Sequence, residues 1–117
     1  MGRLVFAALL LASMQRGEGD ETFRVIPLAS VEATVWTHVC VDGTITSKRT
    51  ERDRDVHVRI TDGTTSLLGE AIPQIPLTIP KVKSFVRMCG ITLYDKFHKW
   101  PELHPITSIS VRSRAGA

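Results

Sequence analysis

A chain of 117 residues holds one domain, and its core is only just large enough to outweigh chain entropy. An apolar fraction of 43% and a charged fraction of 23% exclude global disorder and a multi-span membrane protein. The formal net charge of +3 falls to +1 once Arg3 and Arg16 are set aside with the N-terminal segment, so no whole-molecule field draws in nucleic acid and any electrostatic case rests on local patches.

The chain opens with one positive charge at Arg3, an apolar run from Leu4 to Ala12, and polar residues from Gln15 to Thr22. That layout predicts a signal peptide over residues 1–17, because the run is far shorter than the roughly 20 residues a spanning helix needs. The expected destination is secreted or periplasmic, with no stable membrane span after cleavage. Residues 18–32 read as a linker or N-terminal extension, residues 33–112 as the domain, and residues 113–117 as a polar tail. Cys40 and Cys89 are the only cysteines. Export would allow them to bridge, while two separate buried thiols fit the sequence equally well.

Within the domain, Val35 to Thr46 alternates strictly, with Val35, Val39, Val41 and Ile45 on one face and Trp36, His38, Cys40 and Asp42 on the other. Gly43 in its interior suits a strand that bends sharply. Ser47 to Arg54 reads as a charged hairpin loop. Asp55 to Thr61 then alternates again, burying Val56, Val58 and Ile60 and exposing His57 and Arg59. Trp36, His38 and His57 are expected to share an outward face suited to a partner.

Asp62-Gly63 marks a turn, Leu67 to Ile72 a third strand, and Pro73, Pro76 and Pro80 a segment too proline-rich for a sustained helix. Lys83 to Tyr94 gives a fourth strand with Val86 and Met88 in phase around an interior Gly90, and Leu103 to Val111 gives the fifth. Five short strands, two of them glycine-bent, predict an all-β five-stranded Greek-key barrel of the OB-fold type.

The Val-x-Val-x-Gly strand, the Asp55-x-His57-x-x-x-x-Asp62-Gly63 hairpin, the second glycine strand ending in Tyr94-Asp95, and the closing run from His98 to Ile109 with Glu102-Leu103-His104-Pro105 carry a resemblance. Together they resemble a family of small bacterial OB-like domains that end in an E-[LI]-H-P signature. The resemblance implies the fold and an exported, bacterial setting, and brings no defined activity. This chain is shorter than those domains between the third and fourth strands and before the signature.

OB-folds hold oligonucleotides or oligosaccharides with the first hairpin loop and the loop before the last strand. Here Lys48, Arg49, Arg52 and Arg54 line the first, interleaved with Glu51, Asp53 and Asp55, and Tyr94, Phe97, His98, Lys99 and Trp100 populate the second. Aromatic planes beside cations suit stacked bases, which predicts a weak single-stranded nucleic-acid site. An exported structural or protein-interaction domain, or one that binds a glycan, is the alternative.

Asp95, His98, Glu102 and His104 lie within ten positions and offer imidazole and carboxylate to a divalent metal, although hydrogen bonding at a loop corner accounts for them as well. The chain has no Gly-x-Ser-x-Gly, no His-Glu-x-x-His and no phosphate-cradling glycine loop. The expectation is therefore a non-catalytic module without a cofactor.

Overall fold

The computed structural model describes residues 23–114; the signal-like segment, residues 18–22 and residues 115–117 lie outside the described residues. A short 3-10 helix, Leu28–Ala33, precedes five strands: β1 His38–Thr50, β2 Val56–Thr61, β3 Ser66–Ala71, β4 Phe85–Asp95 and β5 Trp100–Val111. They close into a barrel in the order β1-β2-β3-β5-β4. Neighbours are antiparallel except β3 and β5, which run parallel. This is the OB-fold, the Greek-key barrel that the strand pattern predicts.

β1 makes closure possible because it serves both halves. Its first part, His38 to Thr44, pairs with β4, and its second part, from Thr44 on, pairs with β2 across a bulge between Ile45 and Ser47. The period-two pattern sends Val39, Val41 and Ile45 inward, where they meet Val58 and Ile60 of β2, Leu67 of β3, Val86 and Met88 of β4, and Leu103 and Ile106 of β5. Two glycines sit where the backbones approach too closely for a side chain. A Cβ on Gly90 would lie 2.5 Å from the Pro105 carbonyl oxygen, and one on Gly43 would lie 2.9 Å from that of Thr61.

Cys40 and Cys89 face each other across the β1–β4 ladder and are joined as a disulfide, with Cα atoms 4.0 Å apart. The backbone explains the fit. Cys40 donates its N–H to Arg24 and accepts from Ile26, so toward β4 it belongs to a non-hydrogen-bonded pair, the closer of the two antiparallel spacings. Of the two thiol states the sequence allows, the bridge is the one formed.

One expectation is resolved and two change. Of the linker or N-terminal extension read over residues 18–32, the described part is a packed extension, because Val25 bridges to Cys40 and the 3-10 helix buries Leu28 and Val31 in the core. The first hairpin loop is shorter than expected: Ser47 to Thr50 belongs to β1, leaving residues 51–55 as the turn. The shared face of Trp36, His38 and His57 does not form. Trp36 precedes β1 at φ 56, His38 stacks on Phe23 and hydrogen-bonds Thr107 Oγ1 at 2.6 Å, and His57 pairs with Glu70. Residues 72–84 carry no helix, as the prolines predict, and Leu77 and Ile79 pack against the core from turns.

Candidate nucleic-acid interface and its acid–histidine centre

The outer face of β1, β2 and β3 carries a groove of ≈ 350 Å³ lined by Ser47, Lys48, Arg49, His57, Arg59 and Leu68. Register brings the outward side chains together, because Ser47 lies opposite Arg59, Arg49 opposite His57, and Arg59 opposite Leu68. Lys48 Nζ donates to the carbonyl oxygens of Ile79 and Pro80 at 3.3 Å each, which braces the ammonium against the proline segment. Arg49 Nε holds Glu51 Oε2 at 2.6 Å. The four basic residues read from the sequence therefore separate. Lys48 and Arg49 line the groove from a strand, Arg52 is exposed at the turn, and Arg54, at φ 75, borders an apolar depression with Val56, Ile72 and Leu77.

The β4–β5 hairpin is organised by Asp95. Its Oδ1 accepts from the backbone N–H groups of Phe97 and His98 at 2.9 and 3.0 Å, its Oδ2 pairs with His98 Nδ1 at 2.8 Å, and its carbonyl accepts from Lys99 at 2.6 Å. The His98 side chain first, then these backbone donors, hold the Asp95 carboxyl below the usual carboxylate range. The imidazole so fixed lies flat on Trp100, with centroids 4.5 Å apart and planes 5° from parallel. Phe97, 88% exposed, meets His98 edge-on, and the Arg59 guanidinium stands 5.8 Å from the Trp100 ring. A row of planar groups, Arg59–Trp100–His98–Phe97, thus continues from the groove to the hairpin tip. Tyr94 stays outside it: Asp95 is the partner of Trp100 and Tyr94 that of Pro101, so Tyr94 faces the other way. Lys99 sits at the hairpin corner at φ 64.

The four acid and histidine residues proposed from the sequence as one metal set divide. Asp95 and His98 close on each other in the hairpin, while Glu102 and His104 share a face of β5 and turn toward β3. There His104 Nδ1 lies 3.4 Å from Glu70 Oε2 and 3.8 Å from Glu102 Oε1, and His57 Nε2 lies 3.3 Å from Glu70 Oε1. Asp55 completes the group, with donor atoms of Asp55, Glu70 and His104 all within 4.8 Å of one another. Glu102 is 3% exposed and accepts from the Trp100 indole N–H at 3.4 Å. Burial, the Glu70 charge and a hydrogen bond shared with Glu70 raise its pKa to about 7, against the smaller pull of Trp100. Burial and then its acidic neighbours Asp53 and Glu70 raise Asp55.

Sequence reasoning missed Asp55, His57, Arg59 and Glu70 as site residues. Their signal was partly present: Asp55 just before β2 and His57 and Arg59 on its outward face keep one alternation, and Glu70 is the one charged residue of β3. What links them to β5 is the parallel β3–β5 pairing of Leu68 with Glu102 and Gly69 with Leu103, a contact between distant segments.

No protein-family model matches the sequence, and no curated protein matches it. Among solved structures, asparaginyl-tRNA synthetase from Pyrococcus horikoshii aligns with a TM-score of 0.63 at 14% identity, over 74% of this chain and 22% of the synthetase. The hypothetical protein ygiW from E. coli aligns at 0.58 and 16% identity, over 75% of this chain and 89% of its own. A chain of the S. pombe Stn1–Ten1 complex aligns at 0.53 and 14% identity, over 81% and 79%. The chain thus spans about a fifth of the synthetase's length, and at these identities the likeness is one of fold.

Proposed function

We propose that this chain is a non-catalytic OB-fold module that binds single-stranded nucleic acid along the groove and the planar row. The observation that carries the reading is their continuity: Arg59 belongs to both, so cations that suit phosphates run directly into rings that suit bases. Each stacked base contributes on the order of 1–3 kcal/mol, and the exposed Phe97 and the His98–Trp100 pair offer sequence-tolerant surfaces for a few bases. A similar fold in a synthetase whose name places it on tRNA agrees with this, as an analogy of fold. With few cations in the groove, the interaction is weak and strongly salt-dependent. The disulfide suits an oxidising compartment, which supports the export expected from the signal-like N-terminal segment.

The test is tryptophan fluorescence of the full chain titrated with single-stranded DNA and RNA at low and high salt. Saturable quenching that weakens with salt and vanishes in Trp100→Ala, whose remaining emission comes from Trp36, is the expected result. A flat titration at micromolar protein overturns it. One observation favours a protein partner instead: Val35 and Trp36 stand side by side, 52% and 73% exposed, just before β1. Under that reading self-association or partner binding is insensitive to salt and is lost in Trp36→Ala.

A further inference from the structure

The centre formed by Asp55, Glu70 and His104 lies beside the proposed nucleic-acid face, and its acid–imidazole contacts are longer than a direct charge-assisted hydrogen bond. Within the same molecule, Asp95 and His98 show what a carboxylate–imidazole hydrogen bond looks like here, at 2.8 Å. The contacts around Glu70 are 3.3 and 3.4 Å, longer than the roughly 2.7–2.9 Å of a charge-assisted hydrogen bond. A tetrahedral cation with ligand bonds of 2.0–2.1 Å holds its donor atoms about 3.3–3.4 Å apart, the separation seen between Glu70 Oε2 and His104 Nδ1.

Charge points the same way. Three carboxyl groups, Asp55, Glu70 and Glu102, converge on this patch, and the ion pairs of Glu70 and Glu102 among the described residues are with His57 and His104 alone. No lysine or arginine takes part in those pairs. A divalent cation supplies the charge that converging carboxylates lack, and the imidazole makes the donor set one for a borderline transition metal rather than for calcium or magnesium.

The scaffold also fixes the donors. Glu70 comes from β3, His104 from β5, and Asp55 from the turn that enters β2, so the ligands sit on adjacent elements of a closed barrel. The Asp55 backbone is itself fixed, since its N–H donates to Asp53 Oδ1 at 3.0 Å and its carbonyl accepts from Glu51 at 2.8 Å. His57 stands at the second oxygen of Glu70 and sets the orientation of that carboxylate, the part that outer partners play around a ligand.

We propose that Asp55, Glu70 and His104 bind one divalent transition cation of the zinc type in tetrahedral geometry, with Glu102 beside the fourth position. The site is independent of the nucleic-acid reading and needs no nucleic acid for its test.

The experiment is calorimetric titration of the chelator-treated full chain with Zn2+ alone, backed by Co2+ substitution, whose visible absorption reports tetrahedral geometry. The expected result is one ion per chain in the micromolar range or tighter, weakened about tenfold to a hundredfold by Glu70→Gln and by His104→Gln, and unchanged by His98→Gln. Asp55→Asn, at the turn, is the variant of choice if a barrel substitution lowers thermal stability, and it must also weaken binding. Absence of saturable Zn2+ binding below about 1 mM, equal affinity in the parent and in Asp55→Asn, or loss of binding in His98→Gln each overturns the proposal.

Discussion

Asp95 and Trp100 face each other across the first rung of the β4–β5 ladder, and the His98 that Asp95 holds lies parallel to the Trp100 ring. One carboxylate thereby sets the position of the aromatic row. Asp95→Ala removes the acceptor of three hydrogen bonds at an exposed turn, so the barrel stays folded while the Trp100 emission shifts and nucleic-acid affinity falls about threefold to tenfold. The sign with pH follows from the lowered carboxyl. Its contribution is complete above the ordinary value of 3.8 and is lost as pH falls through the lower folded value, so acid titration of the parent should move Trp100 emission below pH 3.8 and leave the variant flat.

Arg59 joins the groove to the row, whereas Arg52 is exposed at the tip of the first turn. Arg59→Ala removes both a phosphate partner and the cation over Trp100. The expected loss in single-strand affinity is about 1–2 kcal/mol, and the salt slope drops by about 0.7. Arg52→Ala should change affinity less than about twofold. Equal effects of the two would mean that the groove is not the preferred contact, and a larger effect of Arg52→Ala would move the ligand to the hairpin tip.

The 3-10 helix contributes Leu28 and Val31, 3% and 0% exposed, to the core. Leu28→Ala should therefore cost about 2–5 kcal/mol, a fall in Tm of more than about 8 °C for a domain of this size, measured by thermal denaturation. A neutral outcome would return residues 25–34 to the status of a linker.

The Cys40–Cys89 bridge closes a loop across 49 residues between β1 and β4. The double variant Cys40→Ala/Cys89→Ala is expected to lose about 2–5 kcal/mol in urea denaturation, and reductant should destabilise the parent and leave the variant unmoved.

The barrel was legible because each strand announced itself locally. Val39, Val41 and Ile45 in β1 and Val58 and Ile60 in β2 keep strict alternation, and the prolines between Pro73 and Pro80 correctly deny a helix. The 3-10 helix was not legible, since Leu28 and Val31 make one short apolar contact with no periodicity to extend it. Lys48 and Arg49 read as loop residues because charge imitates a turn, while cross-strand pairing with Val58 and His57 keeps them in β1. The Asp95, His98 and Trp100 corner was found because it is local. The Asp55, Glu70 and His104 centre was missed because it depends on β3 meeting β5, and parallel neighbours far apart in sequence leave no local mark.

Glu102 offers the most specific stability test. In metal-free protein its folded pKa of about 7 stands above the ordinary 4.5, because burial and the Glu70 carboxylate oppose its charge. The folded chain therefore keeps a proton that the unfolded chain releases between pH 4.5 and about 7, and stability falls as pH rises across that window and levels above it. Glu102→Gln cannot ionise, and its amide oxygen can still accept from the Trp100 indole. In chelator the variant should be more stable than the parent above pH 7, on the order of 1–2 kcal/mol, and the gap should narrow as pH falls toward 4.5. A stability difference that does not vary with pH would show that the side chain, and not its charge, sets the cost. If Zn2+ binds at Asp55, Glu70 and His104, adding it should stabilise the parent and shrink the same gap at pH 8, since the cation offsets the carboxylate that Gln removes.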